Sequence, residues 1–219
     1  MEVVYEDNHL VVVNKKPGEI VQGDKTGDTP LSEEVKRYLK EKYNKPGNVF
    51  CGVVHRIDRP VGGLVVFART SKALTRLKEM LRKGELHKTY WALVEGHPEK
   101  ESDTLTSWLV NNQKLNKTFL TEENNPDAKK SVLTYKTIGR GDRYTLLEVN
   151  LLTGRKHQIR AQLASIGHPI KGDLKYGAKR SNKDGGISLL ARSIEFVHPV
   201  SKEHISLSAP VPQEFLPFM

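Results

Sequence analysis

The sequence contains a single cysteine, Cys51, and therefore cannot form an internal disulfide. Its histidines are scattered, and neither a Cys-x-x-Cys pair nor a His-Glu-x-x-His motif is present, so we expect no metal site. The longest apolar runs fall far short of the roughly 20 residues that cross a bilayer, and the acidic start lacks the basic region of a signal peptide. These absences predict a cytoplasmic protein with no membrane partner.

No repeat, low-complexity tract or linker interrupts the 219 residues, of which 37% are hydrophobic. This length is sufficient for a substantial core, and we expect a single domain covering residues 1–219. The net charge of +9 favours a polyanionic partner, although solvated lysines alone would give the same value.

The most informative stretch is residues 51–69, in which two apolar, β-branched runs flank a polar turn. Asp58 lies between Arg56 and Arg59, and Pro60, Gly62 and Gly63 allow a tight turn that another molecule can approach. A carboxylate between two arginines also fits a solvated turn with weak ion pairs. This stretch alone does not decide between the two interpretations.

Two later stretches are Lys88-Thr-Tyr-Trp-Ala-Leu-Val-Glu-Gly96 and Thr153-Gly-Arg-Lys-His-Gln-Ile-Arg160. Together with His55-Arg-Ile-Asp58, and in this order, they make the chain resemble the RluA-type pseudouridine synthases, which isomerise selected uridines in structured RNA. The resemblance extends from Asp7 through His168-Pro-Ile-Lys-Gly-Asp173 to Pro199.

Hydrophobic periodicity predicts more strands than helices, joined mostly by short turns, and hence a largely antiparallel sheet. The resemblance implies the same class, α+β, with a bent, largely antiparallel mixed sheet, flanking helices and a central cleft. We expect a helix capped by Thr29, a second capped by Ser71 and ended by Gly84, and a third over 156–165. Residues 173–186 are expected to be polar loop, followed by strands over 187–191, 193–197 and 204–209. Because Met1 opens the core directly, we expect no N-terminal accessory RNA-binding domain.

The resemblance identifies Asp58 as the catalytic residue, kept ionised by an ion pair with Arg160, whose planar guanidinium suits a carboxylate. It implies that Tyr90 stacks on the target base and that Ile159 packs against the uracil edge. Each of these three residues also has a purely structural alternative. Arg160 would then be an arginine on the helix surface, Tyr90 a core tyrosine and Ile159 an ordinary core isoleucine. The resemblance also implies that Arg56 expels or holds the flipped nucleotide. Cleft-lining or phosphate-contacting roles, or merely structural ones, remain for His55, Arg155 and His157.

Converting uridine to pseudouridine exchanges an N1–C1′ bond for a C5–C1′ bond without net gain of atoms or electrons, so we expect no cofactor. An ionised carboxylate can attack C1′ or remove the C2′ proton, and the sequence does not choose between these routes. Relatives commonly have a different sequence where this chain has Arg59-Pro-Val-Gly-Gly63, which leaves substrate choice open.

The expected function is thus RNA pseudouridine synthesis on an rRNA or tRNA stem-loop by a monomer. One rival is a non-catalytic RNA-binding or ribosome-assembly factor with the same fold. A second rival, a hydrolase using an Asp and a His, lacks the Gly-x-Ser-x-Gly nucleophile motif.

Overall fold

A computed structural model describes residues 1–219 of the chain. Its contacts divide the chain into two compact units, Met1–His87 with Ala191–Pro210, and Lys88–Leu190 with Val211–Met219. None of its helices combines the length and apolarity that a bilayer-spanning helix needs.

The chain forms eleven strands, three α-helices and two short 3-10 helices. The strands are β1 (Glu2–Glu6), β2 (Leu10–Lys15), β3 (Gly52–Val53), β4 (Gly62–Ala68), β5 (His87–Glu95), β6 (Ser102–Asn112), β7 (Lys117–Thr121), β8 (Lys129–Arg140), β9 (Tyr144–Leu151), β10 (Leu189–Val197) and β11 (His204–Ser208). The helices are α1 (Leu31–Lys42), α2 (Ser71–Lys83), α3 (Gln158–Ser165) and the 3-10 turns Leu174–Tyr176 and Leu216–Phe218. The predicted α+β class with a largely antiparallel sheet is confirmed.

In the first unit the strand order is β1-β2-β4-β10, with β3 paired to β4 and β11 to β10. The antiparallel pairing of β2 with β4 brings two valine-rich strands together, which are buried except for the half-buried Asn14. The apolar stripe of α1, Leu31, Val35 and Leu39, packs on this sheet. Cys51 packs against the same cluster, and burial raises the pKa of its thiol to about 12.

The two helices of the first unit start differently from the prediction. Pro30, and not Thr29, is the N-cap of α1, and it offers no side-chain hydrogen bond. The first helical N–H groups donate instead to the backbone oxygens of Ile20 and Val21, at 2.7 and 3.2 Å. In α2 the cap is Thr70, whose side chain accepts from the N–H of Ala73. The left-handed Gly84 ends α2, as predicted.

In the second unit the order is β5-β9-β8-β6-β7, and the pairs β5–β9, β8–β9, β6–β8 and β6–β7 are antiparallel. The predicted β8–β9 hairpin is confirmed. Cross-strand partners share a sheet face. A row of such partners runs from Tyr90 through Val149 and Tyr135 to Asp103. Leu109 of β6 is in phase with Asp103 and packs against Ala161 of α3. Tyr90 and α3 therefore lie on the same face of this sheet.

The strands predicted over 187–191 and 193–197 are a single strand, β10. From Ser193 onwards β10 pairs with β11 in unbroken register, Ser193 opposite Ser208 and Val197 opposite His204. Arg192, which lies between the two predicted strands, donates through its side chain to the backbone oxygen of Ala209. The strand thus continues through this position.

Candidate active site

The His55-Arg56-Ile57-Asp58 motif occupies an irregular segment between β3 and β4. His55 is buried, and its Nε2 accepts a hydrogen bond of 3.2 Å from the N–H of Val66 in β4. Asp58 is half-buried, and its backbone oxygen accepts from the N–H of Val61 at 3.0 Å. The motif is therefore tied to β4 at its first residue and closed into a turn at its last.

The two arginines that flank Asp58 differ in their surroundings. Arg59 forms an exposed salt bridge with Asp28, with Nη2 2.6 Å from Oδ2. Arg56 is exposed to solvent. The charge of Arg59 is thus engaged by a residue outside the motif, and the guanidinium of Arg56 is accessible.

Lys15, at the end of β2, holds this turn by hydrogen bonds to its backbone. Lys15 was not identified from the sequence as a residue that supports the site. Its side chain is 1% exposed, and Nζ donates to the backbone oxygens of Lys16, Arg59 and Val61 at 3.0, 3.0 and 2.6 Å. Burial lowers the pKa of Lys15 to about 8, while the nearby Glu19 and Asp58 raise it. A buried ammonium therefore fixes the backbone on either side of Pro60, immediately after Asp58. The available signal was strand phase, because Lys15 follows the buried Val11 and Val13 at a spacing of two.

Gly63, which immediately precedes β4 residue Leu64, has a backbone conformation that requires glycine. Its φ is +111°, and a Cβ at this position would clash with the backbone oxygen and nitrogen of Ala191 in β10. Only glycine combines this conformation with so close an approach of two strands. The second glycine of the turn thus has a structural cause.

Tyr90 lies near the start of β5, opposite Val149, and is 5% exposed. It shares the sheet face on which α3 packs, as its register shows. The ring of Tyr90 is thus buried, and it lies on the face of the sheet against which α3, the helix that contains Arg160, packs.

The third helix begins at Gln158, two residues later than predicted. His157 is its N-cap and adopts a left-handed conformation, with φ at 53°, which an α-helix does not accommodate. The side chain of Gln158 accepts hydrogen bonds from the Thr153 hydroxyl at 2.9 Å and the Arg155 N–H at 3.0 Å. These bonds fold residues 153–157 into a tight loop before the helix.

Arg160 is buried and does not lie on the helix surface. Its Nε and Nη2 donate to the two carboxylate oxygens of Asp173 at 2.7 and 2.8 Å, and its guanidinium stacks 4.9 Å from the ring centroid of Tyr176. A bidentate pair of this kind fixes the plane of the guanidinium. Asp173 itself is 1% exposed.

Tyr176 connects Arg160 to the start of the same helix. Its hydroxyl lies 2.9 Å from His157 Nδ1, accepts from the Thr118 N–H and donates to the Thr118 oxygen. The stretch expected to be polar loop, residues 173–186, therefore begins with the buried Asp173 and a 3-10 turn whose buried residue, Tyr176, supports the site. Asp173 and Tyr176 were missed as site residues, although Asp173 ends one of the motifs that carry the resemblance.

The remaining predicted residues are also in α3 or just before it. Ile159 is buried at 5% exposure, and Arg155 is exposed, with its Nε 3.4 Å from the Lys130 oxygen. The predicted site residues thus form two groups. His55, Arg56 and Asp58 share one turn of the first unit, and the second group belongs to the second unit: Tyr90, Arg155, His157, Ile159 and Arg160.

Comparison with known proteins identifies the family of this chain. A family model described as RNA pseudouridylate synthase matches residues 9–165, a range that includes Asp58, Tyr90 and Arg160. A ribosomal large subunit pseudouridine synthase C of Vibrio cholerae is 34% identical over 95% of this chain, and the chain spans 65% of that relative's length. A tRNA pseudouridine synthase C of Vibrio parahaemolyticus is 31% identical over 96% of this chain and 90% of its own.

Among solved structures, human RNA pseudouridylate synthase domain containing 4 has the same fold. It superimposes with a TM-score of 0.82 at 21% identity, covering 98% of this chain and 90% of its own. This solved structure therefore shares the fold of the chain. The chain belongs to the RluA-type group of the RNA pseudouridylate synthase family.

Proposed function

We propose that this chain isomerises specific uridines to pseudouridine in a stem-loop of rRNA or tRNA, using Asp58 as its catalytic carboxylate. The observation that carries the proposal is the turn itself: Asp58 precedes a backbone segment that a buried lysine holds by three hydrogen bonds. A carboxylate that must meet C1′ or the C2′ proton has to be held in one orientation. The protein is proposed to work as a cytoplasmic monomer without metal or cofactor.

Arg160 is proposed to provide the positive charge that keeps Asp58 ionised in a site closed to water. The bidentate bond to Asp173 and the stacking on Tyr176 support this role, because they orient the guanidinium before substrate arrives. Such preorganisation lowers the cost of binding a second carboxylate.

Tyr90 is proposed to stack on the extruded uracil, with Ile159 against the other edge of the base. Extrusion costs a few kcal/mol and is easiest in loops, which favours a stem-loop substrate. Arg56 is exposed, as a residue that holds or expels the flipped nucleotide must be. His55, Arg155 and His157 are proposed to line the site or contact phosphate.

The relatives leave the substrate open, because one is named for ribosomal RNA and the other for tRNA. Both provide RNA hairpins in which a loop uridine can leave its stack. The proposed substrate class is therefore a hairpin from either RNA.

The test is pseudouridine formation in total RNA from a strain that lacks the gene, treated with purified protein. We expect Asp58→Asn to lower product formation by about 10²-fold to 10⁴-fold while RNA binding is unchanged, as for loss of a catalytic carboxylate. Asp127→Asn removes an exposed carboxylate from the β7–β8 connection and is the matched control. Wild-type protein that binds RNA without forming product would support the rival, a non-catalytic RNA-binding or ribosome-assembly factor.

A further inference from the structure

Lys88 is a half-buried lysine, and the proposed function does not yet use it. It lies in β5 two residues before Tyr90, so both side chains point to the face of the sheet on which α3 packs. Residues two apart on a strand are about 7 Å apart, which is within reach of a lysine side chain. Lys88 therefore lies beside the residue that is proposed to stack on the base.

The surroundings of Lys88 contain no partner for its charge. Burial alone lowers its pKa below the ordinary lysine value, and no hydrogen bond or ion pair engages its ammonium group. Lys15 is the opposite case, because three backbone oxygens surround its ammonium. Even a partly desolvated cation without a counter-charge is costly, and such groups occur where a ligand supplies the missing negative charge.

The isomerisation itself produces a negative charge on the base. When the N1–C1′ bond breaks, its electron pair stays with uracil, whether Asp58 attacks C1′ or removes the C2′ proton. The charge spreads over N1, O2 and O4 until C5 bonds to C1′, which releases the Asp58 carboxylate from its ester or returns the proton from Asp58 to C2′ of the glycal. The C5 proton then leaves, and N1 gains a proton. Both routes therefore pass through the same uracil anion, with the sugar held as an Asp58 ester or as a glycal.

We propose that Lys88 contacts a carbonyl oxygen of the target uracil and stabilises the anion that forms when the base leaves the sugar. This inference rests on the proposed pseudouridine synthase function and adds a catalytic residue to it. Charged donors placed where charge develops act most strongly in a site closed to water. A backbone phosphate is the less suitable partner, because it is charged throughout and remains solvated outside the base pocket.

The experiment compares wild type, Lys88→Met, Lys88→Arg and the exposed control Lys183→Met in single-turnover assays on one RNA that wild type modifies. We expect Lys88→Met to lower the rate at saturating protein by about 10²-fold to 10³-fold, the loss seen when one such donor is removed. Its dissociation constant for RNA should stay within about twofold of the wild-type value, as expected when an interaction is made only during the reaction. Lys88→Arg should keep most of the rate, and Lys183→Met all of it.

Two further readouts separate catalysis from a structural role. The wild-type rate should fall as rising pH deprotonates Lys88, and this fall should be absent in Lys88→Arg, whose charge persists. Lys88→Met should melt no lower than wild type, because it removes a half-buried charge that has no ion-pair partner.

Several results would overturn the assignment. A raised dissociation constant with an unchanged saturating rate would mean that Lys88 meets a phosphate. Equal losses in Lys88→Arg and Lys88→Met, or no loss in either, would show that the charge has no catalytic part. If wild type and all variants form no product, the proposed function fails instead of the role of Lys88.

Discussion

Replacing Lys15 by methionine tests whether a buried ammonium holds the turn that carries Asp58. Three hydrogen bonds from a charged donor, at about 1.5 kcal/mol each, contribute about 5 kcal/mol to folding. Burial opposes this contribution, since lowering the Lys15 pKa from 10.5 to about 8 corresponds to about 3 kcal/mol. The difference predicts that Lys15→Met lowers the free energy of unfolding by about 2 kcal/mol.

The acceptors support a loss of this moderate size. The Arg59 oxygen also accepts from the N–H of Gly18 and the Lys16 oxygen from that of Glu19, whereas the Val61 oxygen has Lys15 as its partner. Only one carbonyl is therefore left without a donor. For a chain of this length the melting temperature should fall by about 4 to 8 °C.

The pH dependence provides a sharper test of the same prediction. Between the folded pKa of about 8 and the unfolded value of 10.5, the unfolded chain binds more protons at Lys15 than the folded chain. Stability from this group therefore rises with pH in that window and is lost as pH falls through 8. The stability gap between wild type and Lys15→Met should widen from pH 7 to pH 10, by up to about 3 kcal/mol.

The assay is urea unfolding followed by circular dichroism at pH 7, 8.5 and 10, with linear extrapolation. The control is Lys16→Met, which replaces an exposed neighbour of the same type and should change stability by less than about 0.5 kcal/mol. A gap that stays constant or narrows as pH rises would refute the reasoning. Equal stability of Lys15→Met and wild type at pH 7 would do so as well.

Two further substitutions test the supports of the site. Asp173→Asn removes the bidentate carboxylate partner of the buried Arg160 and should cost about 3 to 5 kcal/mol in urea unfolding. The exposed control Asp142→Asn should be neutral, and a loss below about 1 kcal/mol for Asp173→Asn would contradict the buried pair. Gly63→Ala should lower the melting temperature strongly, because the positive φ and the Ala191 backbone both oppose a Cβ. Gly23→Ala should leave the melting temperature unchanged, because a Cβ at this position meets open space. Equal melting temperatures for Gly63→Ala and wild type would exclude the predicted clash.

Strand and helix positions were largely predictable because apolar periodicity dominates these segments. Burial patterns in β4 and α1 follow the hydrophobic runs directly. Helix starts were less predictable. Thr70 and Ser71 are adjacent and can both act as an N-cap, and the backbone conformation decides which of them caps α2. The cap of α1 is decided by carbonyls from residues 20 and 21, which no local pattern reveals.

Motifs in the sequence predict the chemical groups of the proposed site, but the residues that support these groups were not predictable. Asp173 and Tyr176 lie in a stretch that is polar overall, and only the folded chain brings them to Arg160. Lys15 belongs to a strand phase that is otherwise apolar, and its three acceptors are backbone atoms. Contacts with backbone oxygens leave no residue-type signature in a sequence, so this kind of support is found only in the structure.

The burial of Cys51 has a practical consequence for work on the RNA complex. With its pKa at about 12, the thiol carries almost no thiolate at neutral pH and reacts slowly with alkylating reagents. A cysteine introduced at an exposed position would therefore be the dominant site for a maleimide dye, a spin label or a crosslinker. The native chain can serve directly as the background for such labelling, with no need to remove its own cysteine first.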